Sequence, residues 1–204
     1  MKIEKNSALL IIDAQNKYDY IMKRKIKKNM KKISEYFYNN NLPIYMTQFS
    51  RCQFKNNCTR NHKNETIANK VSYLKSNKSN KWGNNLYKLD KTKKYKCPSY
   101  YCDIIDELKK YSTKKNTFIS NNLDSLENKK LNSLVKKNNI KNLYIIGGWG
   151  SHCILATAYG CVTKRNIMPH IINDSIFDCN NQYYDATKKI IDSIFKYVTS
   201  KDIL

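Results

Sequence analysis

The sequence predicts an α/β protein of three layers, α/β/α, built on a mostly parallel sheet of about six strands. Two apolar runs carry that prediction. Ser7-Ala-Leu-Leu-Ile-Ile ends on Asp13, and Leu143-Tyr-Ile-Ile146 ends on Gly147 and Gly148. Neither run alternates with polar residues, as expected of central strands buried on both faces. The third observation is order: shorter strand-like runs take turns with segments of helical spacing. Such alternation makes a parallel sheet with right-handed crossovers.

After the first strand, apolar residues recur at helical spacing from Gln15 to about Tyr38, among many lysines, as in a solvent-facing helix. Asn39-Asn-Asn-Leu-Pro43 breaks it, and Pro43 to Gln48 reads as the second strand. Residues 49–98 show little periodicity and are too long for an ordinary connection, which predicts an insertion or lid on a single domain spanning 1–204. A helix is expected over Tyr101 to Lys110, a strand over Thr117 to Ser120, and a helix over Leu126 to Lys137. The glycine-broken strand follows, then a helix reaching about Lys164. A strand at Met168 to Asp174, a helix at Gln182 to Lys196 and a short strand at Tyr197 to Ser200 complete the pattern.

Composition supports a globular domain: hydrophobic residues make up 41% and aromatic residues 12%. The formal charge is +22, with 38 Lys+Arg against 16 Asp+Glu. Such a balance attracts nucleic acid or other polyanions. The basic residues are nearly all lysine and spread along the whole chain, whereas a nucleic-acid footprint clusters on one face, so a nucleic-acid partner is disfavoured. Seven cysteines, a polar start at Met1-Lys-Ile-Glu-Lys-Asn6 and no span-length apolar run predict a reduced, cytoplasmic protein with no membrane partner.

The chemistry is expected at strand ends. Asp13, Ser120 and Cys153 fall at or just beyond the carboxyl ends of predicted parallel strands, where the sites of open α/β sheets lie. In Gly147-Gly-Trp-Gly-Ser-His-Cys153 a sharp turn leads into a helix with the cysteine in its first turn. Free amides and the helix dipole there favour thiolate over thiol, which lowers a cysteine pKa. An aspartate that moves a proton and a cysteine that attacks divide acyl chemistry between them. A capping aspartate and a packing cysteine are the structural alternatives.

These residues resemble the isochorismatase-like cysteine hydrolases, a family that includes nicotinamidases, N-carbamoylsarcosine amidases and isochorismatases. The resemblance rests on Leu9-Leu-Ile-Ile-Asp-Ala-Gln15, Ile44-Tyr-Met-Thr-Gln48, Ile146 to Ala158, Ile171-Ile-Asn-Asp174 and Val198 to Asp202, the last resembling the family's closing strand. It implies a Rossmann-like hydrolase fold, a small-molecule substrate, no cofactor, and a homodimer or higher homo-oligomer. It implies Asp13 as general base and acid, Cys153 as nucleophile, and backbone amides of Gly150 and Cys153 as oxyanion hole. It also places a cis peptide between Trp149 and Gly150, and makes Gln48, Trp149 and His152 candidates for substrate contact. Gly150 stands where the family often has Thr or Ser.

The family completes its triad with a lysine at the end of the third strand. That place here is Ser120, and the nearest lysines, Lys114 and Lys115, precede the strand. Lys115 is therefore the candidate third member, although a strand separates it from the expected edge. The Asp-x-His metal signature of nicotinamidases is absent from Gln48-Phe-Ser-Arg-Cys52, so no metal is expected. Cys52, Cys58 and His62 have a zinc-like spacing without a defined fourth ligand. The predicted function is hydrolysis of an amide, carbamoyl or vinyl-ether bond through a covalent cysteine intermediate. The alternatives are an inactive family member serving as a binding module, or a basic nucleic-acid-associated protein.

Overall fold

β1 (Ser7–Ile12) is buried at every residue, and the sheet is assembled outward from it. In a computed structural model, residues 3–49, 102–120, 122–178 and 181–204 are described. The strands are β1, β2 (Ile44–Phe49), β3 (Thr117–Ser120), β4 (Asn142–Gly148), β5 (Met168–Phe177) and β6 (Lys196–Val198). They form one sheet in the order β3-β2-β1-β4-β5-β6, and every neighbouring pair is parallel. From β1 the chain builds to one side through β2 and β3. It then returns to β4 on the other side of β1 and builds away through β5 and β6. The crevice between the carboxyl ends of β1 and β4 is thus the topological switch point, the usual ligand position in such sheets.

Side chains alternate across the sheet and fill two cores. Leu9 and Ile11 pack with Met30, Ile33 and Phe37 of α1 (Arg24–Asn39). Ala8, Leu10 and Ile12 join the opposite core. That layer draws on α2 (Lys129–Lys137), α3 (Leu155–Arg165) and α4 (Asn181–Ile194) through Leu131, Val135, Ala158, Cys161 and Ile191. The three-layer expectation therefore holds. No helix among the described residues is long and apolar enough to cross a membrane.

Several expected boundaries are corrected. The helix expected from Gln15 to Tyr38 is two pieces, a 3-10 turn at Asn16–Tyr18 and then α1. Gln15 is drawn out of the helical register because its backbone bridges to Ile104. The helix expected over Tyr101 to Lys110 is, in its described part, a 3-10 segment at Asp106–Tyr111. Ile105, Leu108 and Tyr111 are all buried at a spacing of three, and i,i+3 side chains eclipse in that helix type. β6 stops at Val198 rather than continuing to Ser200, because Thr199 opens a reciprocal capping box with Asp202 and starts α5 (Ser200–Ile203). Asp174 fastens this end by accepting from Asn29 Nδ2 (3.0 Å) and from the Ser200 N–H (2.9 Å). The insertion expected at 49–98 falls, beyond Phe49, outside the described residues.

Candidate functional site

Asp13 is the first residue past β1, and its backbone turns sharply, with φ at 52°. Asp and Asn tolerate that left-handed conformation better than most residues. The neighbouring strand fixes the side chain: Thr47, paired with Ile12 in the β1–β2 register, donates through Oγ1 to Asp13 Oδ1 at 2.9 Å. The carboxylate is 6% exposed and also hydrogen-bonds the Cys153 thiol. The thiol arrives from the other side of the switch point. β4 ends on Gly147 and Gly148, the chain reverses at Trp149, and a π-helical turn over Gly150–Ile154 runs into α3. Trp149 O accepts from the His152 and Ile154 amides, both at 3.1 Å, while Asp178 Oδ2 takes the Ser151 N–H at 2.6 Å.

The glycines of this turn answer to packing. Gly147 has φ of 114°, and a Cβ there would meet the backbone of Ile12. A Cβ on Gly148 would meet the Phe177 ring. The cis peptide lies between Gly148 and Trp149, one bond earlier than the expected Trp149–Gly150 bond. The reversal comes where the sheet pairing of Gly148 with Phe177 stops, and Gly150 already belongs to the helix.

Electrostatics here run against one sequence expectation. Burial pushes the Asp13 carboxyl up to about 6, and the Lys17 charge, the Thr47 hydroxyl, the Cys153 thiol and the Phe49 amide pull the other way. Burial also raises the Cys153 thiol well above its ordinary range, and the Asp13 charge adds to the rise. The Trp149 N–H and Lys17 oppose it but are outweighed. The helix start therefore does not give a resting thiolate. The pair instead holds a thiol donating to a carboxylate, an arrangement in which the carboxylate can take a proton from the sulfur.

A model of the isochorismatase domain matches residues 7–203. The chain belongs to the isochorismatase family. No curated protein matches its sequence. Among solved structures it is similar to an isochorismatase family protein from Desulfovibrio vulgaris, with TM-score 0.70 and 10% identity over 98% of this chain and 97% of that one. It is similar to the MAR1 ribonuclease from Caenorhabditis elegans, with TM-score 0.67 and 15% identity over 100% and 83%. It is also similar to N-carbamoylsarcosine amidase from Thermoplasma acidophilum, with TM-score 0.62 and 14% identity over 95% and 96%. At these identities the likenesses establish a shared fold.

As an isochorismatase-family chain it departs from the expected site in two places. Lys115 is exposed at the amino end of β3, across the length of that strand from Ser120. It is not brought to Asp13 or Cys153, because the turn at 113–116 is organised by Asn116 and Thr113 on the far rim. Ser120, buried at the near rim, places Oγ 3.5 Å from Asn122 O. Among the described residues, a cation whose charge reaches both Asp13 and Cys153 is Lys17, which in the sequence is one lysine on a long, solvent-facing helical pattern. Its Nζ donates to Phe49 O at 2.7 Å. The available signal was its position four residues after Asp13, in a segment that leaves a strand end. The second departure, Gly150, has a steric reason: a Cβ would meet the Tyr184 ring and Ile176.

The three substrate-contact candidates line the same rim with different freedom. Gln48 commits its amide N–H to Cys102 O at 2.9 Å, where Gln15 also donates at 2.6 Å. Trp149 packs edge-on to Tyr18 at 5.6 Å and His152 at 5.8 Å. Burial lowers the His152 pKa, and Ser151 Oγ lies 2.8 Å from its Nδ1, so the ring is neutral at pH 7. Tyr18 and Thr47 also border the pair, and sequence alone did not single them out. Cys52, Cys58 and His62 lie outside the described residues. Among the described residues, no three His, Cys, Asp or Glu side chains cluster to hold a metal ion.

Proposed function

We propose that this chain is a cysteine hydrolase that cleaves a C–N bond of an amide or carbamoyl group, or a vinyl-ether bond, in a small molecule. One observation carries the reading: the Cys153 thiol hydrogen-bonds the buried Asp13 carboxylate at the switch point of the sheet. For an amide, sulfur attacks the carbonyl carbon as the thiol proton passes to Asp13. The oxyanion so formed faces the amides of Gly150 and Cys153, at the start of the helical turn. The C–N bond breaks as Asp13 returns the proton to the leaving nitrogen. Water then adds to the thioester with Asp13 again taking a proton, and collapse releases the acid and restores the thiol. The likeness to N-carbamoylsarcosine amidase is in keeping with this bond class. A homo-oligomer, expected from the family, is part of the same reading.

The test is selective alkylation followed by peptide mass spectrometry. Because Asp13 removes the proton, iodoacetamide is expected to label Cys153 with a midpoint near the carboxyl value of about 6. An ordinary thiol follows its own pKa of about 8.5. Cys161, buried and pushed up to about 12, is the internal control and stays unlabelled. Cys153 labelling no faster than Cys161 at pH 7 would count against the hydrolase reading.

The charge of +22 is assigned here to solvated surface. Binding to random duplex nucleic acid is accordingly expected to be weak, with a shallow dependence of log K on log salt. A slope of about −5 or steeper means several phosphate contacts and turns the reading toward nucleic acid.

A further inference from the structure

The triad lysine of the family is absent from the end of β3, yet a cation stands at that rim. Phe49, the last residue of β2, pairs with Ser120 in the β2–β3 register. The Lys17 ammonium sits on the Phe49 carbonyl at 2.7 Å, beside the position where the family carries its lysine. It also stands 4.8 Å from the centre of the Tyr18 ring and 5.0 Å from that of Phe49. The Tyr18 ring in turn meets Trp149, which opens the turn to Cys153.

We propose that Lys17, from the turn after β1, supplies the positive charge of this site in place of the lysine that the family takes from β3. The proposal rests on the hydrolase reading above. The root of Lys17 is held in place: Gln15 donates to Cys102 O at 2.6 Å and accepts the Phe49 N–H at 2.9 Å, and Ala14 O accepts from Ile105 N at 3.0 Å. A lysine on so fixed a turn loses less freedom in reaching the rim than one on a mobile loop. The Lys17 charge acts on both Asp13 and Cys153. It lowers the proton affinity of each, favouring the ionised Asp13 that must accept the thiol proton and stabilising the anionic sulfur in the attack. Lys17 is a positioning residue in this sense, acting on the reacting sulfur through its field and through Asp13.

The experiment is the pH profile of Cys153 alkylation by iodoacetamide in the full chain, compared across Lys17→Met, Lys17→Gln, Lys17→Arg and Lys115→Ala. Lys17→Met and Lys17→Gln are expected to move the midpoint up by about one pH unit and to slow labelling at pH 6.5 roughly threefold. Lys17→Arg keeps the wild-type midpoint, and Lys115→Ala is indistinguishable from wild type. Near-UV circular dichroism identifies any variant that fails to fold, and the remaining Lys17 variants then decide. Glutamine keeps a hydrogen-bond donor for Phe49 O without the charge, so a wild-type profile in Lys17→Gln reduces Lys17 to a structural strut and overturns the proposal. So does an unchanged midpoint in folded Lys17→Met, or a shift in Lys115→Ala. Absence of Cys153 labelling in the wild type instead overturns the hydrolase reading, and this proposal with it.

Discussion

Asp13→Asn is expected to slow Cys153 alkylation and turnover by about 10²–10⁴-fold while making the protein more stable at neutral and alkaline pH. Asparagine accepts the left-handed backbone of this position and matches the carboxylate in shape, so the fold is retained. It cannot take the thiol proton. The stability gain follows from the raised carboxyl. Below the ordinary value of 3.8 the folded and unfolded chains both carry the proton. Between 3.8 and about 6 only the folded chain keeps it, so wild-type stability falls as pH rises through this window. Above it the folded chain bears a buried carboxylate whose full penalty is about 3 kcal/mol. That figure already includes the hydrogen bonds and the Lys17 charge that favour the carboxylate, so asparagine, which resembles the protonated acid, gains roughly 2–3 kcal/mol at pH 8. Urea midpoints for the two proteins at pH 8 and pH 4 check this. The variant should lead at pH 8 and the difference should vanish at pH 4, whereas a constant gap would show that Asp13 is not titrating in that range.

That trade of stability for chemistry explains which parts of the protein were legible in the sequence. β1 and β4 announced themselves because both faces of each strand are buried past its first residue, so Ala8 to Ile12 and Leu143 to Ile146 run without a charged or amide side chain. Asp13 and Cys153 were legible as the polar exceptions at the ends of those runs. What escaped depends on distance in space. Lys17 reads as one more solvated lysine until the register brings the Phe49 carbonyl to it. The Cys153 pKa was expected to fall because the helix start is visible in the sequence, whereas the burial and the Asp13 charge that outweigh it are tertiary. The reason for Gly150 lies more than thirty residues away, in the Tyr184 ring.

Gly147→Ala is expected to be the most damaging single substitution on the site's scaffold, and the reason separates Gly147 from Gly150. At Gly147 the φ of 114° is one that residues with a side chain rarely adopt. The added Cβ would run into the Ile12 carbonyl, part of the buried central strand that carries Asp13. Backbone in the middle of a sheet cannot be trimmed or rotated away. Strain and collision together place the cost above about 4 kcal/mol, near the whole stability of a marginal domain. The protein should be insoluble, or melt about 8–16 °C lower. At Gly150 no positive φ is involved, and the atoms in the way are the Tyr184 ring and an Ile176 methyl. Gly150→Ala should therefore be rescued in large part by Tyr184→Leu, which shortens the obstructing ring, while Gly147→Ala is rescued by no side-chain change around it. Thermal melts of the two single variants and of the Gly150→Ala/Tyr184→Leu pair decide the matter. A Gly147→Ala protein that melts within about 2 °C of wild type would mean that the β1–β4 contact, on which the meeting of Asp13 and Cys153 depends, is looser than this packing requires.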